Sequence, residues 1–214
     1  MNLATLRRKA ADNSLEVEHL LKAARLKLPG LWTELELLAS QHDWSLDNQL
    51  ADGSHVVPFG RWAKVAGAFA SGGYEALRPL ALDDIDAPCV VGLIEELNSA
   101  EAIDQLFVLF AAEICNPLCR PAVSHKLVSA LNLLFSVKSS PPTTHNQRAV
   151  AAAFLNKALS ISTTNVERAN VLYALRGAGD LESLEALADI DEPDAPFAGA
   201  RTLAMRSIRK RLEK

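Results

Sequence analysis

Aromatic residues are scarce in this 214-residue chain, at 6%, and that scarcity argues against a β-rich fold, whose strands favour aromatic and β-branched side chains. Cysteines are few and odd in number, three in all, and a chain this long needs no disulfide staples, so a reducing cytoplasm is the expected home. No window approaches the roughly 18 consecutive apolar residues that span a bilayer. The opening segment, Met1 to Leu6, runs into Arg7-Arg8-Lys9 without an apolar stretch behind it, so no signal peptide is expected. An excess of bases is also missing. The net charge is −4, which argues against a partner held through its phosphates. What the chain does have is Ala and Leu, within a 49% hydrophobic composition. Both suit helix interiors, and the expected class is all-α.

Apolar residues recur with helical spacing. Ser14 reads as an N-cap before Leu15, Val17, Leu20, Leu21 and Ala24, and a break at Pro29-Gly30 precedes a helix begun by Leu31, Trp32 and Leu35. Residues 51–58 read as a loop. Further helices are expected at 59–70, 74–82, 88–97, 100–114, 121–137, 145–161, 164–177, 180–190 and 197–212. The segment 138–144, Lys-Ser-Ser-Pro-Pro-Thr-Thr, is the clearest linker. It could subdivide what is otherwise one helical domain over 1–214.

Helices of this length joined by short turns form either a bundle or a solenoid of pairs, and an internal repeat favours the solenoid. Gly72-Gly-Tyr-Glu-Ala-Leu-Arg-Pro-Leu-Ala81 and Gly179-Asp-Leu-Glu-Ser-Leu-Glu-Ala-Leu-Ala188 align at an offset of 107. Leu77 and Leu80 match Leu184 and Leu187, three apart on one helix face. Each copy then enters an acidic turn, Asp83-Asp84-Ile85-Asp86-Ala87-Pro88 and Asp191-Glu192-Pro193-Asp194-Ala195-Pro196, and Arg61 and Arg168 also lie 107 apart. Arg168, Ala169, Leu172 and Leu175 recur 33 positions on as Arg201, Thr202, Met205 and Ile208. Three units of about 36 residues account for the longer offset.

These features carry a resemblance. Arg168 to Ala188 is similar to the short HEAT-type repeat, in which an arginine opens an Ala/Leu-rich helix, a Gly-Asp turn follows, and a second helix carries spaced leucines. The likeness covers 168–208 and, less fully, 61–97. It implies an α-solenoid of stacked antiparallel helix pairs, an α-α superhelix. HEAT-like proteins mostly hold partners, but the fold alone does not settle what they do.

Charge is sorted along the chain. Residues 79–119 hold eight acids and no base, and residues 177–200 hold seven acids and no base. Residues 114–166 hold five bases and no acid. In a solenoid, equivalent positions share an edge, so Asp83, Asp84, Asp86, Glu95, Glu96, Asp191, Glu192 and Asp194 are expected as an acidic surface that steers a basic protein partner. The plainer reading makes Asp86 and Asp194 helix caps and the other acids a solvated face. The basic last helix, with Arg201, Arg206, Arg209, Lys210 and Arg211, reads as an exposed terminal cap.

Catalytic chemistry finds little support. Cys115-Asn-Pro-Leu-Cys119 lacks the spacing and second ligand pair of a zinc site, and all three cysteines are expected as buried thiols. Asp83-Asp84-Ile85-Asp86 lacks the second acidic cluster of a magnesium site. The five histidines sit in no catalytic motif. Trp32, Trp44 and Trp62 read as core or inter-helix anchors. No catalytic residue, metal or cofactor is expected. The leading expectation is a non-enzymatic binding protein, of the kind that bacterial immunity proteins represent, neutralising a basic toxin. The alternative is a HEAT-like DNA glycosylase, since one group of small bacterial DNA glycosylases resembles this architecture. Such an enzyme lines its groove with Lys and Arg and sets an aspartate beside tryptophans. Here Trp44 has Asp43 and Asp47 nearby in sequence but no arginine. A lyase or chaperone subunit for a pigment or cofactor ranks lower.

Overall fold

The computed structural model describes residues 1–42, 44, 59–135 and 143–213. The loop expected at 51–58, most of the 138–144 linker, and Asp43 and Asp47 lie outside them. Among the described residues the chain is all-helical, with twelve helices and no strand. It divides into two compact units, Met1–Leu97 and Asn98–Lys214. The linker segment falls inside the second unit.

The first unit holds α1 (Leu3–Ala11), α2 (Val17–Arg25), α3 (Leu31–His42), α4 (Phe59–Leu82) and α5 (Ala87–Leu97). α4 packs on α2, α3 and α5 and so forms the hub. It is broken at Gly73, whose φ of 61° is a left-handed value that glycine adopts without steric penalty, so helices expected on either side of Gly72-Gly73 meet at a kink. Leu20, Leu31, Val65, Leu77, Val90 and Leu93 are buried together in this unit. Gly67 lets the Trp32 ring lie on α4, because a Cβ there would come within 2.5 Å of the ring. α2 begins later than its apolar stripe suggests. Ser14 instead closes α1, its N–H donating to the Lys9 carbonyl at 2.8 Å, and the Glu16 N–H donates to His19 Nδ1 at 3.0 Å at the start of α2.

The second unit holds α6 (Ala100–Leu109), α7 (Ala111–Cys115), α8 (Pro121–Leu134), α9 (His145–Ile161), α10 (Asn165–Ala178), α11 (Leu181–Ala188) and α12 (Ala200–Leu212). Here α10 is the hub, packed on α8, α9 and α12. Its start is specified locally. Thr144 and Thr164 cap α9 and α10 by accepting the Gln147 and Glu167 N–H groups, at 3.1 Å and 3.2 Å. The segment expected as one helix over 100–114 is split at Phe110, a buried residue with φ −116° and ψ 33°.

Four bases of this unit are used at helix ends. Lys157 Nζ donates to the Cys115 carbonyl ending α7 at 3.0 Å. Arg148 donates to the Gly177 carbonyl at 2.7 Å, and Arg211 donates to the carbonyls of Arg176 and Gly179, so two guanidinium groups serve the end of α10. Arg201 Nε serves α11 through the Leu187 carbonyl at 2.6 Å. Helix C-termini leave carbonyls unpaired and carry partial negative charge, and cationic donors answer both needs.

Candidate functional site

The eight acids expected as a partner surface have different local roles. Asp86 is fully buried, and its two oxygens meet Arg61 Nη1 at 2.8 Å and Lys64 Nζ at 2.5 Å. Arg61 and Lys64 are three apart on α4, so they converge on one point. Asp83 is exposed, and its Oδ1 accepts the Ile85 and Asp86 N–H groups at 2.9 Å. Those bonds, that from Asp86 foremost, hold its carboxyl below the usual range. Glu96 meets Arg25 at 3.4 Å, and Glu95 is half-buried beside it in sequence. Asp84 and Asp191 are exposed. Asp194 is exposed and accepts from Asn165 Nδ2 at 3.1 Å.

Glu192 acts as the cap of α12. The N-cap residue there is Gly199, with φ 89° and no side chain to offer. Glu192 reaches in instead, its Oε1 accepting the Arg201 N–H at 2.8 Å and its Oε2 the Thr202 hydroxyl at 2.9 Å and N–H at 3.2 Å. Asp194, which the sequence suggested as a cap, does not serve that helix end. Burial pushes the Glu192 carboxyl up, but the bonds from Thr202, Arg201 and Gly199 outweigh it and leave the pKa lowered. A carboxylate with a depressed folded pKa contributes stability above its ordinary range and loses it as pH falls through the folded value. Glu192→Ala is therefore expected to cost about 1 kcal/mol in urea unfolding at about pH 7, with the difference from the parent shrinking towards about pH 3. A difference that stays constant with pH would show that the carboxylate charge contributes nothing.

The cysteines differ from expectation. Cys89 is buried, but Cys115, the last residue of α7, and Cys119, just past the Asn116-Pro117-Leu118 turn, are exposed. Among the described residues no group of three or more His, Cys, Asp or Glu could hold a metal ion.

That same turn forms one wall of a concave groove in the second unit, of about 470 Å³. Pro117 and Leu118, then α8, contribute one side, and the end of α9 and start of α10 the other. Three apolar side chains at the groove stand in solvent: Leu118 is 62% exposed, Ile161 38% and Val166 54%. The lining contains no lysine or arginine. Several of its polar groups are already paired. The Ser124 hydroxyl donates to the Pro117 carbonyl at 2.8 Å and that of Ser162 to the Ala158 carbonyl at 2.7 Å. Glu167 accepts the Thr163 and Thr164 N–H groups at 3.0 Å and 3.1 Å, and its Oε1 lies 3.4 Å from His125 Nε2. Those backbone bonds, that from Thr163 first, lower the Glu167 pKa.

No protein-family model, curated protein sequence or solved structure matches the chain. The groove was not legible in the sequence, because its walls come from segments some forty residues apart. One local signal exists for Val166. The capping box of Thr164 and Glu167 fixes the first turn of α10 and turns Val166, the second of the two residues between them, outwards, away from buried Ala169 and Leu172.

Proposed function

We propose that the chain is a protein-binding α-solenoid of the short HEAT-like type, which holds its partner by an apolar anchor seated in the groove between α8, α9 and α10. The observation that carries this reading is the groove's chemistry. Its rim is apolar and solvent-facing, and a protein interface draws its strongest contacts from such desolvated anchor sites. Small-molecule sites instead offer convergent polar groups that orient the ligand, whereas Ser124, Ser162 and Glu167 are engaged within the fold. A nucleic-acid enzyme needs cations along its groove, and this lining has none. Packed helix pairs and the repeat at offset 107 support the solenoid arrangement. Arg148, Lys157, Arg201 and Arg211 are engaged at helix ends and not along this groove.

An immunity-type neutraliser of a basic partner is the more specific form of this reading. It rests on exposed Asp83 and Asp84 in the first unit and, separately, on exposed Asp191 in the second, with Asp86 and Glu192 engaged within their own units. A tagged copy used as bait in host lysate separates the two surfaces. Val166→Glu in the groove is expected to weaken retention of the specific partner by about 30-fold, at low and high salt alike. Replacement of Asp83, Asp84 and Asp191 by Ser is expected to weaken it at low salt only, since exposed charges are screened. Unchanged retention by Val166→Glu would remove the groove from the interface.

A further inference from the structure

α12 carries two kinds of cation. Arg201 and Arg211 are turned inward onto the carbonyl ends of α11 and α10. Arg206, Arg209 and Lys210 are exposed, and their side chains make no ion pair or hydrogen bond with the described residues. They lie at spacings of three and four, so they share one face with Thr202 and Met205. Like charges at those spacings repel and weaken the helix. Arg209 and Lys210 also sit in the last turn, where the helix end favours cations, but Arg206 lies a turn earlier and gains little from it. Leu203 and Leu212, 38% and 51% exposed, stand on the same helix. α12 packs on α10 and α11 by its Ala200, Ala204 and Ile208 side, and its cationic side stays exposed among the described residues.

We infer that this outer face of α12 is a second docking surface, for an acidic, partly apolar segment of a protein. Charge complementarity calls for carboxylates opposite Arg206, Arg209 and Lys210, and the exposed leucines call for apolar side chains between them. Nucleic acid is the poorer fit. Backbone binding draws on many phosphate contacts and single strands on aromatic platforms, whereas this face offers three cations and α12 has no aromatic residue. The surface lies on a different helix from the groove and stands independently of it.

The probe is a short fluorescein-labelled helical peptide with glutamates along one face and leucines beside them, followed by fluorescence anisotropy with the full chain. Binding is expected at low salt and should weaken as salt rises. The triple variant Arg206→Gln, Arg209→Gln, Lys210→Gln should lose about tenfold in affinity. A control triple, Arg8→Gln, Lys22→Gln, Lys27→Gln, changes net charge equally in the first unit and should bind as the parent does. Because the three α12 side chains are exposed and make no ion pair or hydrogen bond with the described residues, the variant should keep the parent's helical circular dichroism, and single Arg206→Gln provides a milder check. No binding by the parent, equal loss in both triples, or displacement of the peptide by a single-stranded oligonucleotide that binds more tightly would each overturn the proposal.

Discussion

Asp86→Ala is expected to destabilise the protein by about 3 kcal/mol, because it removes the buried carboxylate on which Arg61 and Lys64 converge and leaves Arg61 the more distant Asp83, at 4.0 Å. Arg61 is only 16% exposed, and Lys64, at 39%, can turn partly to solvent, which keeps the loss at the lower end of the range for buried pairs. The melting temperature should fall by about 10 °C. Asp191→Ala, in the matching acidic turn of the second copy but exposed, should stay within about 0.5 kcal/mol of the parent. Urea unfolding of the two variants checks both values. If the two proved equal, Asp86 would not be held as described and would return to the list of acids free to meet a partner.

Gly177→Ala should cost about 3 kcal/mol, the upper end for overpacking. A Cβ at this position would overlap the Phe135 carbonyl oxygen, a backbone atom that cannot swing aside. α8 and α10 would have to separate there, and the damage would spread. Arg148 donates to the Gly177 carbonyl and sits over the Phe135 ring at 5.9 Å, so one displacement disturbs both contacts. Gly67 offers a contrast within the same chain. A Cβ there meets the edge of the partly exposed Trp32 ring, which can move, so Gly67→Ala should cost less. Thermal unfolding of the pair checks the ranking. An unchanged melting temperature for Gly177→Ala would show that α8 and α10 are not in close contact at this point.

Local signals located helices where capping was self-contained. α9 runs over the residues expected of it, because Thr144 and Gln147 satisfy each other's backbone within one turn. α10 follows the same rule with Thr164 and Glu167. The signal misleads where a capping residue is recruited elsewhere. Ser14 belongs to the end of α1 and not the start of α2. α12 starts at Ala200, three residues later than its apolar pattern suggests, because its capping carboxylate comes from Glu192, outside any fixed motif. The break at Phe110 and the exposure of Cys115 and Cys119 left no trace in residue type alone.

The acidic turns show where the two sources of information part. In sequence, Asp83, Asp84 and Asp86 are three equivalent carboxylates, and the copy at 191–194 looks the same. Only the positions of Arg61 and Lys64 on α4 select Asp86 for burial, and Asp194, in the other copy, stays at the surface.

Composition and helical periodicity by themselves determined the all-helical class, because both act over neighbouring residues. The same periodicity set the inward faces of Leu77, Leu172 and Leu175. Which charges are used inside the fold, which remain outside, and where a groove opens were decided by tertiary structure alone. Those features depend on distances between residues far apart in the chain, and a carboxylate or cation changes role entirely according to what packing brings within a few ångströms of it.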